Sequence, residues 1–214
     1  MNLASYIDHT NLKPDAKVED IEKLCQEAVE WGFATVAINS CWTSFCAEKL
    51  KGTGVGVTTC IGFPLGACST ETKVAETIVA VADNTDEIDM VINIGKLKEG
   101  NYDYVAQDIA SVVKAAKGRP VKVILECCLL TQEEIRIACE ICINAGASFV
   151  KTSTGFSTSG ATVEDVELMS KTVEGHCKVK AAGGIHSRQE ALDMISAGAS
   201  RIGASCGIQI VSEN

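Results

Sequence analysis

Short β-branched runs alternate with amphipathic segments of helical period from one end of the 214-residue chain to the other. That alternation restricts the fold to parallel strands joined by right-handed helical crossovers. Strands are expected at residues 5–10, 34–39, 55–63, 87–94, 121–127, 149–153, 179–182 and 201–204. Between them, Val18, Ile21, Leu24, Cys25, Ala28 and Val29 form one apolar stripe closed by Gly32. Val105, Ile109, Val112, Val113 and Ala116 form another, ended by Gly118 and Pro120. Thr131 with Glu134, and Ser187 with Glu190, have the spacing of capping boxes that open two later helices, which Gly146 and Gly198 close. Residues 144–155 and 196–207 echo each other: a helix end, an Ala-Gly-Ala-Ser loop, a strand and a small polar turn. Repeated βα units with such short loops favour a closed (β/α)8 barrel, with a doubly wound open sheet as the alternative. No linker or low-complexity tract interrupts the chain, so a single domain over residues 1–214 is expected.

Composition narrows the function classes. The chain is 46% hydrophobic and 22% charged, enough for a sizeable core. Its 19 Lys and Arg against 28 Asp and Glu give a net charge of −9, which argues against a protein that coats nucleic acid or anionic membrane. No apolar stretch approaches the roughly 18 residues of a membrane span, and the N-terminus has no secretory leader pattern. A soluble, cytoplasmic protein is expected. The 11 cysteines are odd in number and read as free thiols in a reducing compartment. Cys25, Cys60, Cys127, Cys128, Cys139 and Cys142 lie among apolar neighbours and read as small hydrophobes of the core. Cys139 and Cys142 are formally a C-x-x-C, but nothing accompanies them, so packing is favoured over metal or redox use. His9, His176 and His186 are too scattered for a ligand set. No metal site is expected.

In a (β/α)8 barrel the chemistry sits at the C-terminal ends of the strands. Four ionisable residues inside the strand runs stand out: Asp8, Asp89, Lys151 and Lys180. Burying such a charge is costly unless it is paired or functional. An edge-strand lysine facing water is the ordinary alternative for Lys151, but a barrel has no edges. A desolvated lysine amine attacks carbonyls to form a Schiff base once it is neutral, and a neighbouring cation disfavours its protonated form. Lys180 is the candidate for that cation. Asp89 is placed to pair with a lysine and to move protons. Asp8 reads equally well as a strand-end cap. The small turns after the last three strands, containing Gly155, Gly183, Gly184, Gly203 and Ser205, have the backbone freedom of an anion-binding nest. Three such turns beside a reactive lysine point to a phosphorylated carbonyl substrate.

These residues resemble the deoxyribose-phosphate aldolases, class I enzymes on a (β/α)8 barrel. The matching runs are Ile-Asp-His-Thr at 7–10, Glu-Ile-Asp-Met-Val at 87–91, Phe-Val-Lys-Thr-Ser-Thr-Gly at 149–155, Lys-Ala-Ala-Gly-Gly at 180–184 and Arg-Ile-Gly-Ala-Ser at 201–205. The resemblance implies reversible cleavage of 2-deoxy-D-ribose 5-phosphate to acetaldehyde and D-glyceraldehyde 3-phosphate, with no metal or organic cofactor. It implies Lys151 as the Schiff-base lysine, with Lys180 and Asp89 handling protons. Gly155, Gly183, Gly184, Gly203, Ser205 and Asp8 would meet the phosphosugar, and the chain would form a homodimer. His186 stands where the family commonly has arginine, Cys206 where some members have serine, and the Ala-Ile-Asn-Ser run at 37–40 replaces a more usual Cys-Val-Asn-Pro. Only nine residues follow Ser205, so the last helix should be short. Another class I aldolase acting on a phosphorylated sugar or keto acid, or a catalytically silent phosphosugar-binding barrel, is the alternative. A metal-dependent phosphosugar epimerase is disfavoured by the sparse histidines and carboxylates.

Overall fold

Eight parallel strands close on themselves in the computed structural model, which describes residues 2–212. Residues 1, 213 and 214 of the domain expected over 1–214 lie outside the described residues. The strands are β1 (Ile7–Asn11), β2 (Thr35–Asn39), β3 (Gly56–Ile61), β4 (Glu87–Val91), β5 (Val121–Ile124), β6 (Phe149–Lys151), β7 (Lys178–Ala182) and β8 (Arg201–Ala204). Each pairs with its sequence neighbours, and β1 pairs with β8, with Asp8 opposite Gly203, to complete the (β/α)8 barrel. Every expected strand is present; β3, β4, β5 and β6 end early, the first three for local reasons. β3 stops where Gly62 turns into the left-handed region at φ 61°. β4 stops because Asn93 caps a short helix, its side chain accepting from the Lys96 N–H at 3.1 Å. β5 stops before Glu126, a non-glycine residue at φ 60°. At the other end, residues Leu3–Tyr6 form a 3-10 turn, so β1 begins at Ile7.

The helices are α1 (Val18–Trp31), α2 (Thr43–Leu50), α3 (Thr70–Ala82), α4 (Ile94–Lys98), α5 (Tyr102–Ala115), α6 (Gln132–Asn144), α7 (Val163–Val173), α8 (Arg188–Ser196) and α9 (Gly207–Ser212). Both capping boxes form. The Thr131 N–H donates to Glu134 at 2.7 Å, and the Ser187 N–H donates to Glu190 at 2.9 Å, with the hydroxyls accepting in return. Gly32 ends α1 in the left-handed conformation, at φ 68°. The stripe of α5 is buried through Val105, Ile109 and Val112. Burying side chains of this size contributes about 2 kcal/mol each. Cys139 and Cys142 lie on the buried face of α6. Cys128 departs from expectation: it is partly exposed and its thiol donates to Ser157 Oγ at 3.4 Å.

Strand residues alternate between two environments. Ile88, Met90, Val121, Val123, Val150, Val179, Ala181 and Ile202 belong to the apolar core shared with the helices. Residues of the opposite parity (Asp8, Glu87, Asp89, Lys122, Lys151, Lys180, Arg201) meet one another across the barrel. The centre of this barrel is therefore a layer of charge rather than of branched aliphatics.

Candidate active site

The charged layer is organised around Asp89, on β4. Lys151 and Lys180 both donate to its Oδ2 at 2.8 Å, and Lys122 donates to its Oδ1 at 2.7 Å. Lys180 also pairs with Asp8 Oδ2. Lys122 reaches Glu87 at 2.6 Å, and Arg201 spans Asp8 at 2.5 Å and Glu87 at 3.0 Å. Four cations thus share three carboxylates. Desolvating ions costs several kcal/mol each, which only dense mutual pairing offsets.

The layer fixes its own protonation. Burial pushes the Asp89 carboxyl up, but Lys122, Lys151 and Lys180 outweigh it and hold Asp89 well below the usual carboxylate range. Burial likewise opposes ionisation of Asp8, and Lys180, Lys122 and Arg201 prevail, holding it low. Lys180 is the mirror case: burial disfavours its charge, while Asp8 and Asp89 hold its pKa above that of an ordinary lysine. Lys180 is a fixed cation at neutral pH.

Lys151 differs from the other three cations in two ways. Among the described residues its only carboxylate partner is Asp89 Oδ2, which Lys180 also engages. It also lines a cavity of about 560 Å³ at the C-terminal end of the barrel, where Lys122, Lys180 and Arg201 do not. Gly155, Gly183, Gly184, Gly203 and Ser205 line the same cavity, with His186 beside them. Gly155, Gly183 and Gly184 have φ between 75° and 84°, a conformation costly for any side chain. Gly203 is a strand residue whose smallness serves something else. A Cβ there would sit 3.0 Å from the Ala182 methyl and 3.2 Å from Lys180 Cε, so the glycine makes room for the lysine.

Asp8 is placed differently from the expectation of substrate contact. It is fully buried beneath the cavity, does not line it, and is engaged by Lys180 and Arg201, with the Thr35 hydroxyl donating at 2.9 Å. Its wholly buried position follows from strand parity, which points it into the barrel below Lys180. Cys60, read as a core hydrophobe, stands opposite Asp89 in the β3–β4 register. Burial pushes its thiol up to about 11, so it remains protonated.

A DeoC/LacD family aldolase model matches residues 3–213. The chain belongs to the DeoC/LacD aldolases. Membership makes it an enzyme that makes or breaks carbon–carbon bonds. Among curated relatives, the deoxyribose-phosphate aldolase of Finegoldia magna is 59% identical over 211 residues, 99% of both chains. That of Mycoplasma capricolum is 56% identical, covering 99% of this chain and 95% of its own. Among solved structures, the deoxyribose phosphate aldolase of Aeropyrum pernix, described as a unique tetramer, superposes with a TM-score of 0.92. It is 33% identical over 98% of this chain and 89% of that one.

Sequence reading of this aldolase missed Lys122, Glu87 and Arg201. Lys122 carried the same signal as Lys151, a charge inside a β-branched run. Glu87 and Arg201 open their strands, where charge ordinarily faces water. The sequence also left unremarked that His9 lines the cavity wall with its Nε2 at 2.8 Å from Glu27. No helix of the described residues is long and apolar enough to cross a membrane.

Proposed function

We propose that this aldolase reversibly cleaves 2-deoxy-D-ribose 5-phosphate to acetaldehyde and D-glyceraldehyde 3-phosphate through a Schiff base on Lys151. The observation that carries the proposal is the unequal sharing of charge. With all seven groups ionised the layer holds one positive charge too many, and of its four cations Lys151 has the fewest carboxylate partners among the described residues and alone lines the cavity. Releasing one proton from Lys151 balances the layer and leaves a nucleophilic amine where substrate arrives.

In this mechanism the Lys151 amine adds to the C1 carbonyl of the open-chain sugar, and loss of water gives the iminium ion. Removing the proton from the C3 hydroxyl breaks the C2–C3 bond, with the electron pair flowing into the iminium. Glyceraldehyde 3-phosphate leaves and an enamine remains. Protonation at C2 and hydrolysis release acetaldehyde and restore Lys151. Asp89 touches both lysines and is placed to carry protons for these steps, with Lys180 holding its charge constant. The turns at Gly155, Gly183, Gly184 and Ser205 would receive the phosphate through backbone N–H groups. Residence in the cytoplasm and assembly as a homodimer belong to the same proposal. Incubation with 2-deoxyribose 5-phosphate, coupled to detection of glyceraldehyde 3-phosphate, tests it. Cleavage is expected; its absence would overturn the substrate assignment.

A further inference from the structure

Glu126 is a buried carboxylate that the aldol chemistry leaves without a role. It lies just past β5, with a relative exposure of 3%, and none of the ion pairs among the described residues includes it. Its backbone is left-handed, at φ 60° and ψ 60°. One residue thus combines two costly features: a buried carboxyl group with no cation partner among the described residues, and a conformation that side chains disfavour. Such residues persist where the surroundings over-determine them, and they cluster at functional sites.

The surroundings are specific. On either side of Glu126, the Leu125 N–H donates to the Lys151 carbonyl and the Cys127 N–H to the Thr152 carbonyl, both at 2.9 Å. The left-handed kink between these bonds turns the Glu126 side chain onto the segment after Lys151. There Oε1 accepts the Thr154 N–H at 3.2 Å and Oε2 accepts the Thr154 hydroxyl. The same hydroxyl oxygen accepts the Phe156 N–H at 3.0 Å. Thr152 is tied to β7, its hydroxyl accepting the Ala182 N–H at 3.1 Å. The turn carrying Thr154, Gly155 and Phe156 into the cavity is therefore pinned at both threonines, one pin being Glu126.

We propose that Glu126 is a positioning residue: through Thr154 it sets the turn that receives the phosphorylated end of the substrate. This rests on the aldolase reading above and extends it to a residue that does not line the cavity and makes no bond to the Lys151 side chain. A carboxylate suits the task because it accepts both Thr154 donors at once, whereas an amide accepts one and opposes the other.

Glu126→Ala, Glu126→Gln and Thr154→Val test it. Glu126→Ala should raise KM for 2-deoxyribose 5-phosphate by about tenfold or more, the effect of leaving buried donors without an acceptor. Borohydride trapping of acetaldehyde, which has no phosphate, should stay within about twofold of the parent rate. Glu126→Gln keeps one acceptor and should fall between. Adding Thr154→Val to Glu126→Ala should cost less than Thr154→Val costs in the parent, because the carboxylate positions the hydroxyl; the remaining cost is the lost bond to the Phe156 N–H. Titration with inorganic phosphate reads the turn without the reaction, and the glutamate variants should bind it more weakly by a similar factor. If Glu126→Ala does not fold, Glu126→Gln and Thr154→Val carry the comparison. Unchanged or lowered KM and unchanged phosphate binding, or an equal fall in acetaldehyde trapping, would overturn the assignment. A parent protein that neither cleaves the sugar nor traps acetaldehyde would instead fail the aldolase reading, while phosphate titration would still decide Glu126.

Discussion

Lys151 and Lys180 share a single oxygen, Asp89 Oδ2, at 2.8 Å each. Two cations held on one carboxylate oxygen compete for it, and Lys180 has Asp8 as well. Lys180→Leu would end the competition and leave Asp89 Oδ2 to Lys151, with Lys122 still on Oδ1, and removing the neighbouring cation favours the ammonium form of Lys151. Acetaldehyde trapping by borohydride in Lys180→Leu should then require a higher pH than in the parent. Coincident pH curves would assign Lys180 to proton transfer or substrate orientation instead of tuning.

The charged layer also makes stability depend on pH. Asp8 and Asp89 titrate below the usual carboxylate range in the folded protein. Their unfolded pKa is about 3.9. Their contribution is present above that value and is lost as pH falls through the lower, folded values. Lys180 runs the other way: its folded pKa is raised, so its contribution is complete below about 10.4 and fades as pH rises further. Urea midpoints should fall steadily below roughly pH 5. Asp8→Asn should be less stable at pH 7 yet lose less between about pH 5 and pH 3. Parallel acid slopes for parent and variant would contradict this.

A second buried ion pair lies outside the barrel. Lys73 on α3 meets Asp108 on α5 at 2.5 Å, both side chains fully buried, and the Thr70 hydroxyl donates to Asp108 at 2.8 Å. Asp108→Ala strands the ammonium and should cost about 3–5 kcal/mol in urea unfolding. Lys73→Met combined with Asp108→Leu should recover most of that loss. A double variant as unstable as the single one would show that the pair's geometry, not its charge balance, holds the two helices.

The residues that the sequence disclosed share one property: their type conflicts with their surroundings. Lys151, Lys180 and Asp89 are charges inside β-branched runs, and Gly183 and Gly184 are adjacent glycines at a strand end. Lys73 and Asp108 sit on helices whose other faces are wet, so their burial shows only once α3 and α5 pack together. Glu87 and Arg201 look like ordinary strand starts until closure of the barrel lets Arg201 reach both Asp8 and Glu87. Glu126 was invisible for a different reason, since nothing in a sequence marks a non-glycine residue that will turn left-handed. The eight strands were legible because β-branched runs recur at each βα unit, and their ends were less so because single residues such as Gly62 and Asn93 decide them.

On the proposed mechanism, the cation with the fewest carboxylate partners, Lys151, is the nucleophile. The most direct test is peptide mapping of the acetaldehyde adduct after borohydride reduction. A single ethyl group should be found on Lys151, and Lys151→Arg, which keeps the charge but has no amine to attack with, should take up none. An ethyl group on Lys180 or Lys122, or trapping that survives in Lys151→Arg, would contradict the account.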